Sequence, residues 1–381
     1  MEQIKRLLSG SNDQSFFLFG PRGVGKTSWI KKHFPDSAYI DLLDDEIFNK
    51  LLANPKELMS YIPEAKKNLY VIIDEIQKTP RLLDEVHRLI EKYKMRFVLT
   101  GSNARKLKRS SANLLAGRAL SFEMFPFTAG ELKADFDLSK ALKFGTIPMA
   151  TQVANPQAFL QSYVKTYLKE EIQAEGFTRN IENFARFLQI ASFSQGAPLV
   201  ISNIASEAGV NRKVVEDYFS ILRDLLLSVE LPIFTKRSKR ELISKSKFYF
   251  FDAGVFRAIR PTGPIDSESE INGHALETLV LNEIRALNHY LEWNYEISYW
   301  RTKKNLEVDF ILYGKKGFYA IEVKHSSRIR PDDLISLTKF AEDYPEAKLM
   351  YIYGGREEKV ERNIHFIPAT IFFHSSSSYF S

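Results

Sequence analysis

The feature that most constrains this chain is the octapeptide "GPRGVGKT" at residues 20–27, which follows the apolar run "FFLF" and precedes a helical pattern. It matches the spacing G-x-x-x-x-G-K-[ST] in the required context. Glycines let backbone N–H groups wrap around a phosphate, and the N-terminus of the next helix adds a favourable dipole. The stretch therefore predicts a strand, a phosphate-binding loop and a helix. The alternative is an ordinary glycine-rich turn.

The same loop predicts a site for ATP and Mg²⁺. Lys26 would reach the β- and γ-phosphates, and the Thr27 hydroxyl would ligate Mg²⁺. The expected nucleotide-binding residues of the loop are Gly20, Pro21, Arg22, Gly23, Val24, Gly25, Lys26, Thr27 and Ser28.

A second buried strand is predicted at residues 69–73 in "NLYVIIDEIQK", where an apolar run leads into Asp74 and Glu75. Continuous apolar runs are typical of parallel sheets covered on both faces. Asp74 would hold Mg²⁺ through water, and Glu75 would polarise the attacking water as a catalytic residue. A solvated acidic turn is the alternative.

Two polar positions further along the chain extend this site. The segment "RFVLTGSNARKL" predicts a third strand, and Ser102 or Asn103 at its end would sense the γ-phosphate, unless the segment ends in an ordinary turn. Arg118, after Gly117, would meet the phosphates as a catalytic arginine, in cis or from a neighbouring subunit of a homo-oligomer. Its alternative is a salt bridge to a local acid such as Glu123.

The alternation of these strands with helical segments such as "PRLLDEVHRLIEKYK" predicts an α/β domain with a parallel sheet. With 381 residues and no cysteine, we expect two or three domains without disulfides or thiolate metal sites. We find no signal peptide and no run near ~18 apolar residues, so we expect a soluble, cytoplasmic protein with no membrane partner. A net charge of +6 permits a polyanionic partner without requiring one.

The middle of the chain predicts a helical lid and then a winged helix-turn-helix. From residue 156 helices dominate; Ser202 would cap a short helix, Gly209 would end it, and Asn211 would cap a longer one. The following hairpin is basic, with Lys236, Arg237, Lys239, Arg240, Lys245 and Lys247 in or beside its turn. This surface would contact nucleic acid, with DNA expected before RNA. An internal spacer with a solvated hairpin is the alternative.

The last third places charges inside a predicted strand, "GFYAIEVK" at residues 317–324. Because side chains alternate, Glu322 and Lys324 share one face. If "GKKG" at 314–317 forms a hairpin turn, Asp309 faces Glu322, and Glu307 faces Lys324. Opposed carboxylates repel, and a divalent cation between Asp309 and Glu322 is the simplest remedy, with Lys324 orienting or deprotonating water. A surface Glu307–Lys324 salt bridge is the alternative.

The order of Glu277 in a helix, Asp309 in a strand and Glu322-x-Lys324 in the next strand resembles the PD-(D/E)XK nuclease fold, although Val308 stands where the proline would be. The resemblance implies that these four residues are catalytic in Mg²⁺-dependent cleavage of nucleic acid.

Nearly the whole chain is also similar to a prokaryotic family of AAA+ type ATPases with a C-terminal domain of unknown function. The similarity is carried by "GPRGVGKT", "IIDEIQK", "LTGS", "LAGR", "PFTAGEL", "FFDAGV", "EVDFIL" and "AIEVK". It implies ATP binding and hydrolysis. The predicted α/β architecture is a P-loop AAA+ type ATPase domain at 1–155, a helical lid with a winged helix at 156–260, and an α/β PD-(D/E)XK nuclease-like domain at 261–381.

Two functional hypotheses follow. The intact set of three acids and a lysine favours the first, in which the ATPase regulates a metal-dependent nuclease that acts on nucleic acid. In the second, ATP gates a signalling or DNA-binding switch, and the nuclease-like domain docks a partner without cutting. A helicase-like motor is less favoured, because we find no pattern of aromatic and basic residues suited to a single strand.

Overall fold

The computed structural model describes residues 4–11, 13–102, 114–167, 181–236, 240, 242 and 245–380. Two compact units divide the chain. The first consists mainly of Lys5–Phe125 with Asp224–Leu227, and the second mainly of Pro126–Arg223 and Ser228–Ser381. The three-domain division with borders near residues 155 and 260 stays a prediction.

A parallel sheet of five strands forms the centre of the first unit, in the order β2-β3-β4-β1-β5. The strands are β1 Ser15–Phe19, β2 Ala38–Asp41, β3 Tyr70–Asp74, β4 Arg96–Gly101 and β5 Ala119–Glu123. They alternate with the helices α1 Lys26–His33, α2 Asp45–Ala53 and α3 Leu82–Tyr93 and with 3₁₀ turns at Pro55–Tyr61, Glu64–Lys66, Ile76–Lys78 and Leu114–Gly117. All residues of β1 and β3 are buried, as the apolar runs predict for strands covered on both faces.

Helices make up most of the first half of the second unit. The α-helices of this unit lie at Ala129–Leu132, Leu138–Phe144, Pro148–Gln152, Pro156–Ser162, Ile181–Ser192, Ile201–Ala208, Arg212–Asp224, Ala253–Ile259, Glu268–Tyr290, Ile335–Asp343 and Ala369–Tyr379. A π-helical turn lies at Tyr163–Tyr167, and 3₁₀ turns lie at Lys133–Asp135 and Pro331–Leu334.

Two sheets complete the second unit. A small antiparallel sheet has the order β6-β8-β7, and a mixed sheet has the order β13-β14-β12-β11-β10-β9. The strands are β6 Ala197–Pro198, β7 Ser228–Leu231, β8 Lys247–Phe250, β9 Glu296–Arg301, β10 Glu307–Gly314, β11 Gly317–Lys324, β12 Lys348–Tyr353, β13 Lys359–Glu361 and β14 Ile364–Pro368. The helix Glu268–Tyr290 packs its buried side chains into the same apolar core as β10 and β11.

The predicted helix pair of the middle region is present. Gly209, at a φ of 67°, ends the helix Ile201–Ala208, and the Asn211 side chain accepts the Val214 N–H at 2.9 Å. Ser202 does not cap the first helix, because it already lies in that helix's first turn. The winged-helix assignment stays a prediction. In the part of the chain that the structure describes, no helix has the length and apolar character needed to cross a membrane.

Candidate functional site

Three segments of the first unit bring the predicted nucleotide residues together. β1 leads into the glycine-rich loop, β3 ends at Asp74, and β4 ends at Gly101, next to Ser102. The carboxyl ends of parallel strands meet at one edge of a sheet, and ligands of open α/β sheets bind there. The candidate nucleotide site therefore lies at this edge.

The loop has a backbone that requires glycine at three positions. Gly23 and Gly25 have φ values of 85° and 93°, which side chains of L-residues rarely adopt. A Cβ atom on Gly20 would lie 2.5 Å from the Met124 carbonyl oxygen. Substitution at any of the three would distort the path of the loop.

The loop lysine is buried in the cradle that the loop forms. Lys26 Nζ donates to the carbonyl oxygens of Gly20 at 2.7 Å and Pro21 at 3.1 Å. Thr27 and Ser28 follow it in the first turn of α1. Backbone N–H groups in a first helical turn lack intrahelical partners and favour anions. The arrangement can therefore bind a polyphosphate.

A buried arginine that sequence reasoning missed holds this loop. Arg6 donates from Nη1 to the Val24 carbonyl oxygen at 3.2 Å and from Nη2 to the Phe125 carbonyl oxygen at 2.5 Å. Val24 is buried with it, whereas Arg22 is exposed. The sequence contains no signal for this contact, because Arg6 and Phe125 are 119 positions apart.

The two residues predicted to hold Mg²⁺ touch each other. Thr27 Oγ1 lies 3.1 Å from Asp74 Oδ2, and the hydroxyls of Tyr39 and Thr100 also donate to the buried Asp74 carboxylate. Burial and the adjacent Asp74 charge raise the pKa of the Tyr39 hydroxyl. A hydroxyl and a carboxylate are the hard oxygen ligands that Mg²⁺ prefers, so these residues fit the ion.

Tyr39 and Thr100 were not predicted as part of the site. Thr100 has a recognisable signal, since it is a polar residue near the end of a buried apolar strand. Tyr39 has none, because only the sheet order places β2 beside β3.

The predicted catalytic glutamate has a strained backbone and a specific partner. Glu75 has a φ of 59°, and its N–H donates to Thr100 Oγ1 at 3.3 Å. The buried Gln77 donates from Nε2 to the Glu75 carboxylate and, at 3.3 Å, to Ser102 Oγ. A single amide thus links the predicted base to the predicted phosphate sensor. Positive φ at a residue other than glycine is common at functional sites. Asn103, the other sensor candidate, lies outside the described residues.

The predicted catalytic arginine lies in an ion pair. Arg118 Nε donates to a carboxylate oxygen of Glu91 on α3, and both side chains are more than a third exposed. This contact agrees with the alternative prediction for Arg118, which was a salt bridge to a local acid. Its role toward phosphate stays a prediction.

The second unit brings together the four residues of the predicted nuclease-like site. Glu277 lies on the helix Glu268–Tyr290, Asp309 on β10, and Glu322 and Lys324 on β11. The predicted hairpin register is confirmed, since Tyr313 is opposite Phe318 and Gly314 is opposite Gly317.

A bulge in the pairing of β10 with β9 lies next to Asp309. The pairing of β10 with β9 shifts by one residue between Val308 and Ile311. Bulges turn side chains in new directions. Asp309 Oδ2 accepts the Val323 N–H of β11 at 3.0 Å, and its Oδ1 is bonded to Lys247.

Lys247 is the residue of this cluster that sequence reasoning placed wrongly. It was predicted as a cation of the basic hairpin, yet it is 0% exposed in β8. Its Nζ lies 2.7 Å from Asp309 Oδ1, 2.8 Å from Glu307 Oε1 and 3.4 Å from Glu277 Oε2. Its local sequence is lysine-rich and suggests a surface, but three distant carboxylates surround it.

The remaining acids of the cluster also have cationic partners. Glu307 pairs with Arg301 at 2.5 Å, and Lys324 pairs with Glu322 at 2.5 Å. The proposed cross-strand pair of Glu307 with Lys324 is therefore replaced by two different pairs. Asp309 and Glu322 do not fit an open divalent-metal site, because lysines already contact both of them.

The pKa values follow from burial and charge. Burial, together with the Asp309 charge, raises the pKa of Glu322 to about 8 and that of Glu277 to about 7. Burial opposes ionisation of Asp309 as well, but Lys247 and Lys324 keep its pKa below the usual value. Within the described residues, Glu322 Oε2 is buried without a hydrogen-bond partner, whereas Lys324 contacts the other oxygen, Oε1.

Within the described ranges, no group of three or more histidine, aspartate or glutamate side chains is placed to hold a metal ion. The two-carboxylate Mg²⁺ site predicted on Asp309 and Glu322 stays a prediction.

Two described cations of the basic hairpin lie in ion pairs. Lys236 pairs with Glu296 at 2.7 Å, and Arg240 pairs with Asp343 at 2.6 Å. Lys245 is exposed, while 237 and 239 lie outside the described residues.

Comparison with known proteins matches three consecutive regions of the chain. Residues 12–133 match the family model of an AAA domain, residues 135–266 match a domain of unknown function (DUF8612), and residues 272–372 match another (DUF4143). The first match and the parallel sheet around the loop identify an AAA-type ATPase domain in the N-terminal region and support ATP binding. The other two matches assign no activity.

The comparisons also find individual proteins to which the chain is similar. An uncharacterized protein of Methanocaldococcus jannaschii, MJ1544, is 26% identical over 329 residues, which are 78% of this chain and 72% of that protein. The DNA clamp loader delta protein of Bacillus subtilis is 16% identical, with 55% of this chain and 83% of that chain covered and a TM-score of 0.23. A signal transduction ATPase with numerous domains and a tetratricopeptide repeat sensor, from Pyrococcus horikoshii, is 16% identical, with 74% and 46% covered and a TM-score of 0.20. Both TM-scores are too low to carry an argument.

Proposed function

We propose that the first unit binds ATP with Mg²⁺ and hydrolyses its γ-phosphate. The observation that carries this proposal is the contact of Thr27 with Asp74 at 3.1 Å beside the buried loop lysine, within a region that matches an AAA domain. A hydroxyl and a carboxylate at this position are what a phosphate-bound Mg²⁺ needs.

Each residue has a distinct part in the proposed reaction. The loop N–H groups and Lys26 bind the phosphates, and Thr27 and Asp74 would hold Mg²⁺, which neutralises charge on the β- and γ-oxygens when bound. Glu75 accepts a proton from the attacking water. Gln77 orients the Glu75 carboxylate toward that water through its hydrogen bond.

The test compares Lys26→Ala with Lys32→Ala, an exposed lysine on the same helix. We expect Lys26→Ala to lower affinity for a fluorescent ATP analogue at least tenfold, and Lys32→Ala to leave it unchanged. Glu75→Gln should keep nucleotide binding and lower the turnover rate by about 10²-fold or more, as for loss of a general base. ATP hydrolysis by Lys26→Ala at the wild-type rate would refute the proposal.

For the second unit, we propose an ATP-gated docking domain that does not cleave nucleic acid. This choice between the two functional hypotheses rests on the contacts of Lys247 with Asp309 and of Lys324 with Glu322. Nucleic acid, with DNA first, is the proposed partner of the helix pair and the basic hairpin. The pairing of Lys236 and Arg240 with acids limits the charge that is free for phosphate.

The experiment for this choice incubates plasmid and linear DNA, and RNA, with Mg²⁺ or Mn²⁺, with and without ATP. We expect no cleavage by the wild-type protein, and DNA binding that differs between ATP and ADP. Cleavage by the wild type that Asp309→Ala abolishes would establish the nuclease instead. Equal DNA affinity in the presence of ATP and of ADP would refute the proposed gating by ATP.

A further inference from the structure

The acidic cluster of the second unit contains a cation of its own at its centre. Lys247 Nζ is within 3.4 Å of three carboxylates, those of Asp309, Glu307 and Glu277. These acids come from β10 and from the helix Glu268–Tyr290, whereas the ammonium comes from β8. An ammonium group has three N–H donors, so the number of donors equals the number of carboxylates.

The backbone holds this ammonium in place. β8 is the middle strand of its sheet, and Lys247 is paired with Pro198 on one side and with Leu231 on the other. Tyr249, two positions along the same strand, donates from its hydroxyl to Glu277 Oε2 at 2.9 Å. The strand pairing thus fixes the backbone from which the Lys247 side chain extends.

The cluster is also covered from the side of a neighbouring loop. Gly196 has a φ of 67°, and a Cβ atom there would lie 3.0 Å from Glu277 Oε2. The Gly196 backbone thus passes close to the Glu277 carboxylate, and a side chain at this position would crowd that carboxylate. A hydrated ion would meet the same crowding on this side.

The charge of the Lys247 ammonium determines whether a divalent cation can enter the cluster. A divalent cation binds carboxylates that are free, and Mg²⁺ also keeps several waters. An ammonium at 2.7 Å from Asp309 occupies the position where that ion would neutralise the acids, and it repels a second cation strongly at such a distance. Burial disfavours the charged lysine, but the surrounding carboxylates keep the Lys247 pKa well above its usual value.

We propose that Lys247 is the resident cation of this cluster and takes the place of a divalent metal. The inference rests on the proposed non-cleaving role of the second unit and explains it. The contacts of Lys247 with the three carboxylates link β8, β10 and the helix Glu268–Tyr290. The domain thereby retains nuclease-like residues without a metal site.

The test uses Mn²⁺ as the probe and counts bound ions by electron paramagnetic resonance. Each protein is compared with its Asp309→Asn counterpart, so that ions bound in the first unit cancel. Wild type and Asp309→Asn should bind the same number of ions. Lys247→Met should bind one further Mn²⁺ per chain at least tenfold more tightly than wild type does, and adding Asp309→Asn should abolish that gain.

Lys324→Met is the matched control, because it removes the same charge from the same cluster and leaves Lys247 in place. It should gain no ion. An Mn²⁺ ion in wild type that Asp309→Asn removes would overturn the inference, and this comparison needs no variant of Lys247. A folded Lys247→Met protein without a further ion would overturn it too. A folded Lys247→Met protein that gains no ion, combined with no DNA cleavage by wild type, would overturn this inference and leave the docking proposal standing. DNA cleavage by wild type would overturn both the inference and the docking proposal.

Discussion

Replacement of Lys247 by methionine should destabilise the second unit severely. Methionine has a similar length and keeps the side chain apolar where it packs, but it removes the ammonium. Three carboxylates, those of the buried Asp309 and the part-buried Glu307 and Glu277, then lose their common cation.

The magnitude follows from the three contacts. The distances from Nζ are 2.7, 2.8 and 3.4 Å, and at an effective dielectric constant of about 20 each corresponds to about 5–6 kcal/mol of Coulomb attraction. Most of this attraction offsets the desolvation of the ions. Removal of one partner from a buried ion pair costs about 3–5 kcal/mol net, so we expect a loss in this range. For a unit of this size, the melting temperature should fall by roughly 6–20 °C.

Urea unfolding followed by tryptophan fluorescence measures this loss. Trp293 and Trp300 belong to the second unit and Trp29 to the first, so a Trp29→Phe background reports on the second unit alone. Lys324→Met is the control. Its side chain is 36% exposed, against 1% for Lys247, so water screens its charge and its removal should cost less than removal of the Lys247 ammonium.

A double variant checks the cause of the loss. Asp309→Asn removes one of the carboxylates left without a cation, so the combined variant should regain at least about 1 kcal/mol relative to Lys247→Met alone. The reasoning is refuted if Lys247→Met costs less than about 1 kcal/mol, or if Asp309→Asn restores nothing.

Two further predictions concern the second unit. Burial raises the pKa of Glu283 to about 7 from 4.5, so its contribution to stability is full below pH 4.5 and is lost as the pH rises through 7. Glu283 accepts the Ala129 N–H and the Ser376 hydroxyl; in Glu283→Gln the amide oxygen can accept from Ala129 and the amide nitrogen can donate to Ser376 Oγ, so the variant should flatten the melting temperature between pH 5 and 8, and an unchanged pH dependence contradicts this. Gly145→Ala should cost more in urea unfolding than Gly209→Ala, although both have a φ of 67°. A Cβ atom would lie 2.0 Å from Asp252 Oδ1 at the first position, and the nearest atom is at 3.9 Å at the second; equal costs would contradict the prediction.

Local interactions explain what sequence reasoning recovered. The glycine-rich loop was predictable because positive φ at Gly23 and Gly25 is a property of those residues themselves. The β10–β11 register was predictable because a short turn and a side-chain period of two determine it together. Asp74 was recognisable because it ends a continuous apolar run.

The missed residues depend on contacts between distant segments. Tyr39 and Thr100 reach Asp74 only because the sheet order makes β2 and β4 the neighbours of β3. Gln77 follows Glu75 by two positions, but its bond to Ser102 spans 25. Polar residues at such positions have no periodic pattern that distinguishes them from surface residues.

By itself, the sequence determined the phosphate-binding loop, the parallel α/β unit around it and the set of acids in the second unit. The tertiary structure alone decided which cation those acids face. Lys247 lies in a lysine-rich stretch typical of a solvated hairpin, yet its partner Asp309 is 62 positions away, on a strand of a different sheet. The electrostatic environment of a buried charge depends on distances between such remote segments, and only the packed chain sets those distances.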